Sequence, residues 1–225
     1  MKKTFSTMLI ALVIVAISAI MIGGCGVSEK KEKESKLTVP ATAPSSVPSS
    51  SQQMGPDGKP VKTLSDFPNA QDGANVEAVI KTDKGDIILR FFPDVAPVTV
   101  ASFINLARTG FYNGTAFHRV EPGFVIQGGD PKSKDPNAPD VGTGGPGYYL
   151  PAEFNSRPHK TGTLSMARSQ SPTSGGSQFF ICLADTPSLD GQYTVFGEVV
   201  SGMDVVNQVT PGTRMNEVVI KPRTQ

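Results

Sequence analysis

The chain has 225 residues, enough for one substantial domain with accessory segments. Its 38% hydrophobic content is that of a globular protein, while 19 Pro and 23 Gly point to many turns and an extended stretch. A formal net charge of +1 excludes a general electrostatic attraction to nucleic acid. The balance is uneven along the chain. Residues 1–36 carry six Lys against three Glu, which leaves 37–225 at −2, so recognition by the main domain rests on shape and local chemistry.

Lys2 and Lys3 precede an apolar run, Met8–Ile22, that ends in Gly23-Gly24-Cys25. A basic start, an apolar centre and a small-residue site predict a secretory signal peptide, on the short side for a retained span. Ile22-Gly23-Gly24-Cys25 resembles the bacterial lipobox, which implies cleavage after residue 24 and lipid (palmitate among it) on Cys25. Several acyl chains on one residue hold a protein stably at a bilayer, each buried CH₂ contributing about 0.8 kcal/mol. Residues 25–75 then read as a Pro/Ser-rich disordered tether, because they have too few large apolar groups to offset the entropy of ordering. About 45 such residues have a root-mean-square reach on the order of 35–40 Å. These features place the protein on the extracytoplasmic side of a bacterial cell membrane.

The folded part is expected over 76–225. VEAVIKT and DIILRFF are strands joined across Asp83-Lys84-Gly85, a hairpin signal. Pro97 opens a helix whose apolar positions recur at helical spacing until Gly110. The strands AFHRV, FVIQGG, GTLSMAR, SQFFICL and YTVFGEVV follow, then a short helix over Gly202–Val209 and a last strand, EVVIKP. Short strands punctuated by turns mean an all-β barrel or sandwich with two helices available to cap it. The two cysteines have different settings: Cys25 ends the apolar run, and Cys182 reads as a small core hydrophobe rather than a disulfide partner.

Four ordered blocks carry the chemistry. They are Phe117-His118-Arg119-Val120 with Pro122-Gly123-Phe124-Val125 and Gln127-Gly128-Gly129-Asp130; Gly162–Ala167; Gly176–Ile181; and Leu189-Asp190-Gly191 with Tyr193, Val195, Phe196 and Gly197. In order and spacing they resemble the cyclophilin-type peptidyl-prolyl cis–trans isomerases over roughly residues 76–223. The resemblance implies a mainly β fold, a closed eight-stranded antiparallel barrel capped by two α-helices, with the active groove on its outside. It also implies proline-containing polypeptides as substrates and no cofactor or metal.

The reaction explains the residue types. Rotation about an X–Pro bond meets a barrier of about 18–20 kcal/mol and takes tens to hundreds of seconds unaided. No bond is made or cut, so the task is tighter binding of the twisted state, whose prolyl nitrogen gains a lone pair. A permanently charged donor aimed at that nitrogen does this, and Arg119 supplies it. Phe124, Val125, Phe180 and Leu189 match the family's pocket for the proline ring. Gln127 and the backbone around Arg168 match positions that hold the carbonyl side, and Ala167 and Gln178 line the groove. A holdase or adhesin using the same groove without turnover is the alternative, but binding alone has no need of a cation at the prolyl nitrogen.

Other signals are weaker. His118 and His159 are the chain's only histidines, too dissimilar in context for a metal site, and His118 reads as structural. Ser165 and Ser177 lack an apparent His/Asp arrangement, which argues against a hydrolase triad. Gly142–Gly147 (GTGGPG) lacks the ending of a phosphate loop and reads as a groove wall. Tyr193 stands where many eukaryotic members have His, and Ser188 where they place a Trp that contacts cyclosporin. Cyclosporin is therefore expected to bind weakly. A monomer is the default.

Overall fold

A computed structural model describes residues 52–68 and 70–223, so the expected signal peptide, Cys25 and the tether up to residue 51 lie outside the described residues. The strands are β1 (Val76–Thr82), β2 (Gly85–Phe91), β3 (Arg119–Glu121) and β4 (Val125–Gly128), followed by β5 (Thr163–Met166), β6 (Phe179–Cys182), β7 (Val195–Ser201) and β8 (Glu217–Pro222). Helix α1 spans Pro97–Arg108, and α2 spans only Met203–Val206. All eight expected strands and both helices are present, although α2 is a single turn.

The strands form one antiparallel sheet in the order β3-β4-β6-β5-β7-β2-β1-β8. The expected closure is looser than a continuous ladder, because β3 and β8 at the two ends do not pair with each other as strands. Chain just upstream of each bridges the seam: Ala116 pairs with Arg214, Phe117 N–H donates to Thr213 O at 2.9 Å, and Met215 N–H to Thr115 O at 2.8 Å. The architecture is a curled half-barrel stitched along one side. Ala116–His118 belongs to that stitch, which is why the expected strand AFHRV contributes only its last two residues to β3.

Period-2 alternation separates an inner face from an outer one. Ile126 of β4 lies opposite Ile181 of β6, which faces Leu164 of β5, and all three are fully buried. Gly197 continues this row on β7, where a Cβ would come within 2.5 Å of Arg90 O, so no side chain fits. Phe103 of α1 closes one end, its ring 4.9–5.7 Å from those of Tyr112, Phe91, Phe179 and Phe196. No side chain of the N-cap residue Ala96 caps α1. The carboxylate of Glu153, from a loop 54–55 residues away, accepts from Val98 N–H at 2.9 Å and Thr99 N–H at 2.8 Å instead. Those are the free donors at a helix start, where a negative charge is also favoured.

One boundary needs correcting. The tether was expected to run to residue 75, yet residues 52–75 pack on the barrel, apart from Asn69, which is not described. Val61 and Phe67 are buried, short 3-10 turns cover Leu64–Asp66 and Ala70–Ala74, and the second of these lies against α1 at Val100. Phe67 places its ring 5.9 Å from that of Tyr148. A few apolar anchors and tight turns hold this segment, a pattern without the periodicity that marks a helix or strand in sequence.

Candidate active site

The outer face carries the site, in a row that crosses the sheet. Arg119 on β3 is in register with Gln127 on β4, Gln127 with Phe180 on β6, and Phe180 with Ser165 on β5. One row over, Val125 faces Cys182. Because alternate residues of β4 and β6 point outward, Val125, Phe180 and Cys182 form a small apolar cluster separate from the main core, joined by Phe124, Ala167, Leu189 and Tyr193. All of these but the fully buried Cys182, with Arg119, Gln127 and Arg168, line a cavity of about 110 Å³. Every groove residue expected from the sequence lies here except Gln178, which is one hydrogen bond away, and Cys25 lies outside the described residues.

That bond belongs to a chain of amides. Gln178 Nε2–H₂ donates to Gly142 O and Gly144 O, both at 2.9 Å, which turns its Oε1 toward Gln127. Gln127 Nε2 then donates to Gln178 Oε1 at 2.9 Å, so Gln127 Oε1 faces Arg119. Arg119 itself is loosely held: Nη1 lies 3.5 Å from Gln127 Oε1 and Nε 3.4 Å from Glu121 Oε1, at the outer limit of hydrogen bonding. Its side chain is 48% exposed. The cation is thus aimed across the pocket mouth with most of its donor capacity unused.

Arg168 behaves differently. Its guanidinium bonds backbone oxygens of Gln192, Ser169 and Gln170 at 2.9–3.2 Å and stacks 4.7 Å over the Tyr193 ring. It clips two loops together and orients Tyr193, while its backbone borders the groove. Cys182 is fully buried, and burial pushes its thiol up to about 12, so it serves as packing and not as a nucleophile.

Sequence reasoning missed His159. The ring is almost wholly buried, stacked on Phe180 (centroids 6.0 Å, planes 16° apart) and edge-on to Tyr193 at 6.4 Å. Its Nδ1 lies 2.9 Å from Asp190 Oδ1, its backbone N–H donates to the same oxygen at 2.7 Å, and Nε2 lies 3.1 Å from Ser165 Oγ. An Asp–His–Ser arrangement is therefore present after all. It is not a nucleophilic triad, because Ser165 is fully buried beneath Phe180 and its hydroxyl donates to Thr194 O at 3.0 Å. Donation from the His159 amide and ring holds the Asp190 carboxyl below the usual range. His118 lies elsewhere, half-buried beside Gly142, with a buried Nδ1 that has no partner among the described residues.

A larger cavity of about 610 Å³ adjoins the first and shares Gln127, Ala167 and Arg168 with it. Gly142–Gly147 forms one wall, as the sequence suggested, together with Tyr148, Tyr149, Lys132 and Lys59.

Comparison with known proteins agrees with this geometry. Residues 78–224 match the family model described as cyclophilin type peptidyl-prolyl cis-trans isomerase/CLD. A probable peptidyl-prolyl cis-trans isomerase of Brucella abortus is 50% identical over 148 residues, covering 64% of this chain and 76% of its own. Peptidyl-prolyl cis-trans isomerase B of Bacillus subtilis is 46% identical over 138 residues, 60% of this chain and 91% of its own. Among solved structures, a cyclophilin type peptidyl-prolyl cis-trans isomerase of Cryptosporidium parvum superposes with a TM-score of 0.60 at 29% identity, covering 67% of this chain and 99% of its own. A second structure of that protein, in the presence of the dipeptide Ala-Pro, gives a TM-score of 0.56 at 30% identity, covering 66% and 99%.

Proposed function

The chain belongs to the cyclophilin-type peptidyl-prolyl cis–trans isomerases, and from that premise we propose that it turns X–Pro bonds of exported proteins from a lipid anchor, using Arg119 as the electrostatic element. The observation that carries the mechanism is the loosely tethered Arg119 guanidinium at the rim of an apolar pocket about the size of a proline ring. Phe124, Val125, Phe180, Leu189 and Tyr193 grip the ring. Gln127 and the backbone near Arg168 hold the preceding carbonyl side, which rotates against the fixed ring. As the amide twists, its nitrogen becomes a hydrogen-bond acceptor, and Arg119 donates to it more strongly than to the planar ground state. Burial of the ring supplies binding common to both isomers; the cation supplies the difference that lowers the barrier.

The test of turnover is two-dimensional exchange NMR on a short X-Pro-Phe peptide with the chain from residue 52 onward, the start of the described segment. An exchange rate at the level of peptide alone would sink the proposal. The anchor rests on Ile22-Gly23-Gly24-Cys25 and calls for a separate measurement. Expressed in a bacterium with labelled palmitate, the full chain is expected to carry label in the membrane fraction, and Cys25→Ser to lose it; a labelled Cys25→Ser protein would contradict the assignment.

The protein acts as a monomer in this reading. Ser188, an exposed residue next to Leu189 at the pocket rim, offers neither the apolar area nor the indole donor of a Trp. Cyclosporin is expected to inhibit turnover only at micromolar or higher concentration, and a nanomolar inhibition constant would overturn that expectation.

A further inference from the structure

The segment upstream of the family match, which begins at residue 78, supplies part of the groove. Residues 53–61 fold into a tight hairpin: Met54 bridges Pro60, Gly55 N–H donates to Lys59 O at 2.7 Å, and Val61 N–H to Gln53 O at 2.8 Å. The turn Pro56-Asp57-Gly58 has Gly58 at φ +77°, a conformation that glycine adopts without strain. The hairpin is fastened to the barrel at Tyr149, whose N–H donates to Pro60 O at 2.9 Å and whose carbonyl accepts from Lys62 N–H at 2.9 Å. Gly55 lies so close to the Tyr149 ring that a Cβ would come within 2.2 Å of Cδ2. The placement is specific, and it puts Lys59 on the wall of the 610 Å³ cavity.

The lining of that cavity has one sign of charge. Lys59, Lys132 and Arg168 line it, and no Asp or Glu does. Lys59 is paired with Asp57, and Lys132 with Asp140, but all four side chains are 39–53% exposed. Exposed pairs of this kind contribute about 0–1 kcal/mol and exchange readily for another carboxylate. Both lysines can therefore turn from an outer carboxylate to one inside the cleft, where the partner is held against the wall by the rest of a bound chain.

Position in the groove tells which substrate residue meets them. With the proline ring in the smaller cavity, as the isomerase reading has it, the carbonyl before it falls at Gln127, Ala167 and Arg168, which line both cavities. An extended chain advances about 3.3 Å per residue, so the residues two and three before proline fall in the larger cavity. Resting on the isomerase reading above, we propose that the 53–61 hairpin is a specificity element of this chain, with Lys59 selecting acidic residues two to three positions before proline.

The test uses the full chain and the peptides acetyl-Ala-Z-Ala-Pro-Phe-amide with Z as Glu, Ala or Lys. Turnover is read by exchange NMR and Kd by chemical-shift titration. The expected kcat/KM is about fivefold higher for Glu than for Lys at low salt, a ratio that collapses toward one in 1 M salt. Lys59→Glu should invert the ratio, and Lys59→Gln should bring it to an intermediate value. Lys59 is exposed, its backbone carbonyl closes the hairpin, and its side chain makes only the exposed pair with Asp57 and a contact 5.4 Å over the Tyr149 ring, so these variants fold, which an unchanged melting curve verifies. Moving Z to the position after Phe should abolish the preference. A wild-type ratio within twofold of one, a ratio that Lys59→Glu leaves in place, or an equal preference with Z after Phe would each overturn the proposal. Kd needs no turnover: a Glu preference in Kd without catalysis would sink the isomerase reading and leave this one standing.

Discussion

Arg119→Ala is expected to lower kcat/KM for X–Pro turnover by about 10²–10³-fold, the loss seen when one preorganised donor is removed from a developing charge. That corresponds to about 2.7–4 kcal/mol of a barrier near 18–20 kcal/mol, a large share for one side chain. Peptide Kd should change little, because the apolar grip of Phe124, Val125, Phe180 and Leu189 is common to the planar and twisted states. Stability should change little too: the guanidinium is half exposed, and its two contacts, at 3.4 and 3.5 Å, are too long to contribute much. Arg119→Lys should recover only part of the rate, since a compact ammonium lacks the planar fork that reaches both the nitrogen and the substrate backbone. Exchange NMR for rate, titration for Kd and thermal melting for stability separate the three. A variant within about threefold of wild type would mean that the pocket acts without the cation.

Residues whose role follows from local pattern were legible in the chain itself. FVIQGG and SQFFICL alternate, so once one residue of each is placed inward, Val125, Gln127, Phe180 and Cys182 must share the outer face. The family resemblance then put Arg119 in register with them. What stayed hidden depends on partners far apart in sequence. Glu153 caps a helix 54–55 residues upstream, which no spacing rule around Pro97 reveals. Asp190 meets His159 across 31 residues, and Ser165, read as lacking a partner, meets the same ring. Residues 52–75 resemble a tether by composition because two buried anchors, Val61 and Phe67, and a set of tight turns leave no periodic trace. The looseness of the seam was equally invisible: AFHRV has strand character, but the sheet's curl gives its first residues a single bridge to Arg214.

His159 carries the second large expectation, and it concerns the support beneath the pocket. The imidazole fills the space under Phe180, touches Tyr193 edge-on, and ties the loop bearing Leu189 and Asp190 to β5 through Ser165. Thr186 N–H adds a bond to His159 O at 2.7 Å, so the backbone at this one position also pins that loop. His159→Ala should therefore destabilise the fold by about 2–4 kcal/mol, the range for emptying a buried ring site and stranding its polar neighbours. Urea unfolding at equilibrium measures it, and a loss under 1 kcal/mol would contradict the packing argument. His159→Phe separates packing from hydrogen bonding. It refills the space under Phe180 but offers nothing to Asp190 Oδ1 or Ser165 Oγ, so it should regain part of the stability while kcat/KM stays down about tenfold through a loosened Leu189–Tyr193 wall. Acid titration gives an independent reading of the same contact. Asp190 has its carboxyl lowered by the His159 amide and ring donors, so the stability it contributes is present above the ordinary Asp value and is lost as pH falls through the lowered one. Asp190→Asn keeps an oxygen for both donors but cannot titrate. The variant should fold and turn over substrate, with a shallower fall in stability below pH 4 than the wild type; an identical acid limb in the two proteins would show that this contact contributes nothing to it.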